Sequence, residues 1–225
     1  MNRVARVLAV GLTAVLLLAW GGLWLAEEAG SPLAGAALGR VGALFGFGAP
    51  AGNAAGLASL AGVRIGGPFH LVNQSGAPVT DADFRGRWML VYFGYTFCPD
   101  VCPTELQTIA AALHKLGPDA DKVAPTFVTV DPERDTPAVL AKYVRLFDDR
   151  MIGLTGTPAE VADMARAFRV YYAKATVKAG GPYVVDHSSF VYLMDPNGRL
   201  AALFNQDTTS DELAAGIRSR LAKTS

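Results

Sequence analysis

The sequence predicts an α/β domain with a mixed sheet, preceded by one N-terminal transmembrane helix. Three observations predict it. An uncharged apolar run, VLAVGLTAVLLLAWGGLWLA, extends from Val7 to Ala26, about the 20 residues a helix needs to cross a bilayer. Further along, short apolar runs bounded by Gly, Pro, Asn and Asp alternate with amphipathic helical stripes, the pattern of strands joined by helices. Near the end, two apolar runs are separated by little more than Pro196-Asn197-Gly198, a tight turn that adds a hairpin before a final helix.

The apolar run is flanked asymmetrically. Arg3 and Arg6 precede it, Glu27 and Glu28 follow it, and Trp20 and Trp24 lie near its outer end. The positive-inside rule then leaves the N-terminus in the cytoplasm and everything after residue 26 outside, with the tryptophans at the interface. A cleaved signal peptide is the rival reading; its apolar core would be shorter, about 7–15 residues, with an A-x-A-like site behind it. No long Arg-rich presequence precedes the run, which favours a bacterial inner membrane and a periplasmic domain over a mitochondrial location. Residues 27–61 are rich in Gly and Ala, with Pro32 and Pro50 and little charge. They lack a strand or helix period and read as a linker. The organisation expected is therefore an anchor over 1–26, a linker over 27–61 and one folded domain over 62–225.

Composition narrows the function classes. Apolar residues make up 51% of the chain, enough for a sizeable core, and the formal net charge is zero. A nucleic-acid partner normally needs a basic face, so none is expected. With only two cysteines, a disulfide scaffold is excluded, and their closeness points to a site.

In the folded domain, Phe69–Asn73 alternates and is followed by the turn Gln74-Ser75-Gly76. Trp88–Gly94 is almost continuously apolar, the mark of a central strand buried on both faces. Pro103 suits the first turn of the next helix, whose stripe is Leu106, Ile109, Ala110, Leu113 and Leu116. Residues 126–130 read as a second strand, and 136–147 as an amphipathic helix. Thr157 and Glu160 form a capping box, with Pro158 at the first helical position, opening a helix to about Arg169. Tyr171–Val177 alternates, Gly180-Gly181-Pro182 turns, and Ser188–Asp195 reads as one strand. Leu200–Phe204 follows, and Thr209 with Glu212 caps the last helix.

The chemistry concentrates at Cys98-x-x-x-Cys102, where the buried strand ends and a helix begins. Ligands bind at the carboxyl ends of strands in open α/β sheets. A helix N-terminus favours thiolate over thiol, and a C-x-x-C pair at such a turn reads as a redox motif, here with one residue added. Two buried, inert cysteines are the bland alternative; the prolines beside both of them and their position in a loop weigh against it. Among the three histidines, His70 and His114 look ordinary. His187 opens an apolar strand beside Asp186, where an imidazole is either a structural group or a ligand. Asp131 and Asp135 follow the second strand. They either tune the site, orient His187 or contact a partner, or else form a solvated turn with a helix cap. Met89, Met151, Met164 and Met194 are expected in the core.

Five segments, Phe69-x-Leu71, Gly76-x-x-Val79, YFGYTFCPDVCP at 92–103, TVDPERDTP at 129–137 and DHSSFVYLMDPNG at 186–198, together resemble the Sco/SenC copper chaperones of cytochrome oxidase assembly. The resemblance runs over roughly residues 65–221. It implies a thioredoxin-like fold with inserted elements, an N-terminal anchor, and copper held by two cysteines and one histidine, falling here on Cys98, Cys102 and His187. It further implies delivery of copper to the CuA site of cytochrome c oxidase subunit II. The donor chemistry agrees, because thiolates are soft ligands that favour Cu(I) and imidazole suits either common copper state. A structural zinc site would want four protein ligands, and three are evident. The rival function is a thiol-disulfide reductase acting on the cysteines of that subunit through Cys98 and Cys102, which does not obviously need His187. A peroxidase would place Thr three residues before its reactive cysteine, where Tyr95 stands here. A copper or redox sensor is the fourth reading.

Overall fold

The computed structural model describes residues 64–176 and 183–223. Its first hairpin pairs β1 (His70–Asn73) with β2 (Pro78–Thr80). The turn between them is closed by the Asn73 side chain, which accepts from the backbone N–H groups of Ser75 and Ala77 at 2.9 and 3.0 Å. Gly76 takes φ +82° there, a left-handed conformation that glycine adopts without a Cβ clash. A short 3-10 turn at Asp81–Phe84 leads to β3 (Trp88–Gly94). All seven residues of β3 are buried, as its uninterrupted apolar run requires. Helix α1 (Val101–Leu116) follows, then a 3-10 segment (Gly117–Lys122) and β4 (Val123–Thr129). Next come α2 (Pro137–Val144), β5 (Ile152–Thr155) and α3 (Pro158–Ala167). The chain ends through β6 (Tyr172–Thr176), β7 (Tyr183–His187), β8 (Phe190–Met194), β9 (Leu200–Asn205) and α4 (Ser210–Leu221).

The main sheet has seven strands in the order β2-β1-β5-β4-β3-β8-β9. Strands β3, β4 and β5 run parallel, and β1, β8 and β9 pair antiparallel with their neighbours, so the expected mixed α/β sheet is present. Leu90, Val91, Tyr92 and Phe93 of β3 are fully buried, as are Phe127, Leu140, Met164 and Phe204 around them. Burying a side chain of this size stabilises by about 1.5–3 kcal/mol. The expected capping boxes are both made: Glu160 accepts from the Thr157 N–H at 2.7 Å and Glu212 from the Thr209 N–H at 2.8 Å. Met89, Met151, Met164 and Met194 are buried as anticipated.

Three expectations need correction. Strand β5, too short and Gly-containing for its pattern to stand out, was absent from the sequence reading although it lies inside the sheet. The helix expected over 136–147 stops at Val144. The single strand expected from Ser188 to Asp195 is two elements: β7 ends at His187, Ser188 and Ser189 break the run, and β8 begins at Phe190. Strands β6 and β7 form a separate two-stranded sheet, so His187 ends a strand of this ribbon. Among the described residues no helix is long and apolar enough to cross a membrane. The span expected at 7–26, the linker at 27–61 and the turn at 180–182 lie outside the described residues.

Candidate metal centre

Parallel pairing of β3 and β4 sets Gly94 opposite Thr129, so the loops leaving both strands emerge side by side at the carboxyl edge of the sheet. The first loop carries the cysteines. It turns at once, with the Cys98 N–H donating to the Tyr95 carbonyl at 3.3 Å, and enters α1 at Val101. Asp100, the residue before the helix, makes no side-chain cap. Part of that role falls to sulfur: the Cys102 N–H, in the first helical turn, donates to Cys98 Sγ at 3.4 Å. A sulfur at this point faces unpaired N–H groups and the positive end of the helix dipole, both of which favour negative charge.

The two cysteines differ in environment. Cys98 is half-buried and Cys102 is fully buried; both are free thiols. A hydrogen bond from Cys102, together with His187 and the Asp100 and Cys102 backbone, holds Cys98 down at about 3 despite its desolvation. Cys102 shifts the opposite way, pushed well up by the same bond to Cys98 and by burial. The pair therefore shares one proton, kept on the inner sulfur. Gly94 makes room for that sulfur: a Cβ there would lie 2.9 Å from Cys102 Sγ and 2.9 Å from the Phe127 ring.

His187 reaches the cysteines from the ribbon. Its Nε2 lies 3.2 Å from Cys102 Sγ, and its Nδ1 lies 3.2 Å from the Ser188 carbonyl. A carbonyl only accepts, so Nδ1 donates to Ser188 and Nε2 is left facing the sulfurs. Tyr92 and Tyr95 set their rings edge-on to the imidazole, with centroids 6.1 and 5.9 Å away. Asp186, next to His187 in sequence, is a natural candidate for the group that orients this ring. The structure assigns that contact to the Ser188 carbonyl, and Asp186 is exposed, because neighbouring residues of a strand face opposite sides.

The donor atoms of Cys98, Cys102 and His187 all lie within 4.8 Å of one another. An ion about 2.0–2.3 Å from each donor needs them within about 4.6 Å of each other, so the cluster closes on an ion with little movement. It borders an open cleft of about 390 Å³ lined by Tyr95, Cys98, Pro99, Val184, Asp186 and His187. His70 and His114, expected to be ordinary, are exposed and lie outside this cluster.

The solvated-turn reading of Asp131 and Asp135 is overturned, since both are fully buried. Asp135 accepts from Thr96 N–H at 3.0 Å, Thr96 Oγ1 at 2.5 Å and Thr129 Oγ1 at 2.6 Å; it pins the cysteine loop to β4. Burial nevertheless outweighs these bonds and raises its carboxyl. The cap of α2 is Thr136. Asp131 accepts from the Tyr183 hydroxyl at 2.8 Å and pairs with Arg134. The sequence reading missed Tyr92, Arg134, Tyr183 and Glu105. Glu105 is buried on α1, and burial pushes its carboxyl up to about 7. Its spacing from Cys102 (i, i+3) on the apolar stripe was the signal that marked it. Arg134 and Tyr183 carried no such signal, because what they touch is far away in sequence.

Comparison with known proteins agrees with this geometry. The SCO1/SenC family model matches residues 58–222. The mouse mitochondrial SCO2 homologue is 42% identical over 158 residues, covering 69% of this chain and 62% of the mouse protein. This chain thus spans less than two thirds of that relative's length. Bradyrhizobium japonicum ScoI with copper bound is 48% identical, with TM-score 0.64, over 69% of this chain and 98% of that one. Arabidopsis thaliana ScoI with copper bound is 41% identical, with TM-score 0.67, over 71% of this chain and 99% of that one. A family model spanning almost the whole described domain, and solved relatives sharing both its fold and over 40% of its sequence, lead to one conclusion: the chain belongs to the SCO1/SenC family.

Proposed function

We propose that the protein binds copper through Cys98, Cys102 and His187 and delivers it to the CuA site of cytochrome c oxidase subunit II. The observation that carries this reading is the convergence of two sulfurs and one imidazole within 4.8 Å. The set fits copper: thiolates select Cu(I), imidazole suits either common copper state, and three ligands leave a coordination position for transfer. The chain's own residues prepare the site. Cys98 is held as thiolate, and the Ser188 carbonyl engages Nδ1 of His187 and leaves Nε2 facing the sulfurs. Cys102 must release its proton when an ion binds, so uptake releases acid. An anchor at 7–26 and a linker at 27–61 would keep the domain at a bacterial inner membrane, facing the periplasm and the membrane-bound recipient; a shared membrane raises the effective concentration of both.

The second reading, a thiol-disulfide reductase for the same subunit, has its own supporting observation. Cys98 is accessible and held at about 3, while Cys102 is buried and protonated, the asymmetry of an attacking and a resolving thiol. Titrating reduced wild type and His187→Ala with Cu(I) and Cu(II), and assaying disulfide reduction on the same samples, separates the two. Delivery predicts weaker copper binding and altered Cu(II) spectra in His187→Ala with reductase activity intact. Unchanged affinity and spectra in both states would put the reductase first.

A further inference from the structure

His187 lies on a ribbon that is not hydrogen-bonded into the main sheet. Among the described strands, β6 and β7 pair only with each other, Tyr172 opposite His187 and Thr176 opposite Tyr183. A two-stranded ribbon is marginal by itself. The cysteines, in contrast, hang from a central strand and a sixteen-residue helix. Something other than a backbone ladder must therefore hold the imidazole against the sulfurs.

One guanidinium lies where it can do so. Arg134, in the loop between β4 and α2, pairs through Nε with buried Asp131 and donates from Nη1 to the Tyr183 carbonyl at 3.1 Å. Its carbon is 3.8 Å from the Tyr183 ring centroid, 4.8 Å from that of Phe97 and 5.7 Å from that of Tyr95. Phe97 immediately precedes Cys98. Tyr183 opens β7, and Tyr183, Val185 and His187 share one face of that strand; Val185 between them is buried. Asp131 completes the joint by accepting from the Tyr183 hydroxyl. The guanidinium thus touches both sides of the metal centre without touching a donor atom. Nη2 is buried with no hydrogen-bond partner, which leaves the aromatic faces to stabilise that end of the charge by cation–π attraction.

We propose that Arg134 is a positioning residue that locks the β6–β7 ribbon, and with it His187, onto the cysteine loop; its effect on copper rests on the ligand reading above. Lysine cannot replace it, because a point charge cannot satisfy a carboxylate, a carbonyl and ring faces at once. Removing the guanidinium alone would strand Asp131 as a buried charge. The decisive variant is therefore the paired Arg134→Met with Asp131→Asn, alongside Arg134→Lys.

The test uses the full-length protein. Hydrogen–deuterium exchange is read without metal on the peptides covering Tyr183–His187 and Trp88–Gly94. Both variants should speed exchange of the ribbon by about tenfold or more and leave β3 unchanged, the signature of local opening. With Cu(II), the paired variant should shift the spectrum toward that of His187→Ala and weaken binding about 10–100-fold, as outer-sphere losses do. Adding His187→Ala to it should change nothing more. Unaltered ribbon exchange, or equal acceleration of both peptides, overturns the proposal. So does a full rescue by Arg134→Lys. If His187→Ala itself leaves copper binding intact, the ligand reading fails, and ribbon exchange in the metal-free protein alone decides the role of Arg134.

Discussion

The two halves of the candidate metal centre are built in opposite ways. The cysteine loop is held chiefly by backbone: β3 is paired on both sides and α1 begins just beyond it, with the Asp135 carboxylate tying Thr96 to β4. The histidine ribbon is held by side chains: the Arg134–Asp131–Tyr183 joint and the edge-on tyrosines. The difference teaches that the dithiol is a preformed element, whereas the third donor depends on packing. Ligand loss should accordingly be uneven, and perturbations of the cysteine half should be felt in stability as well as in binding.

The largest expected effect is the loss of a sulfur. Cys98→Ala or Cys102→Ala should lower Cu(I) affinity by more than about 100-fold, beyond what an outer-sphere change costs, and by more than His187→Ala does. Competition with a chromophoric Cu(I) chelator measures this. Equal losses at all three positions would erase the distinction between the halves.

The buried carboxyl on α1 comes next. Glu105 is held at about 7 in the folded protein against an ordinary value of 4.5. A raised value means that its stabilising contribution is complete below about pH 4.5 and is lost as pH rises through 7. At about 1.4 kcal/mol per unit, the loss reaches up to roughly 3 kcal/mol. Glu105→Gln removes this titration, so its stability relative to wild type should rise across that window in denaturant melts of the metal-free protein. A difference that stays flat from pH 4.5 to 8 would show that solvent reaches the carboxylate.

Overpacking tests the rigidity of the cysteine half. In Gly94→Ala, the new methyl meets Cys102 Sγ and the Phe127 ring at 2.9 Å each. Neither neighbour is a flexible surface group, so destabilisation of about 1–3 kcal/mol is expected, together with weaker Cu(I) binding. A fully stable variant with normal binding would mean that α1 can shift, contrary to a preformed dithiol.

The smallest expected change is a near-constant rate. Because Cys98 is held at about 3, it is already thiolate at pH 5. Its alkylation by iodoacetamide should therefore vary less than about threefold from pH 5 to 8, where an ordinary thiol changes roughly a thousandfold. Mass mapping should find the first label on Cys98, with buried Cys102 unlabelled. A steep profile would remove the thiolate from the resting site.

Much of this was legible in the chain because it is local. A seven-residue apolar run announced β3, prolines beside the cysteines marked the turn into α1, and Thr157 with Glu160 announced α3; each signal lies within a few residues of the feature it specifies. The motifs around Cys98, Cys102 and His187 also singled out three residues whose donor atoms the structure brings within 4.8 Å of one another. What the sequence reading could not reach was relational. Ser188-Ser189 looked like the start of a strand, because only the pairing of Tyr172 with His187 shows that the strand ends there. Asp131 and Asp135 read equally well as a solvated turn and as groups serving the site, because the Thr96 and Tyr183 hydroxyls that make their burial tolerable come from 39 and 52 residues away. The sequence by itself thus determined β3, the helix caps and the sulfur pair, whose geometry follows from short-range backbone preference. Only the tertiary structure decided that His187 meets Cys102, that its ring contacts the Ser188 carbonyl and that Arg134 bridges Asp131 and Tyr183, because those contacts exist only once distant segments pack around a shared buried charge.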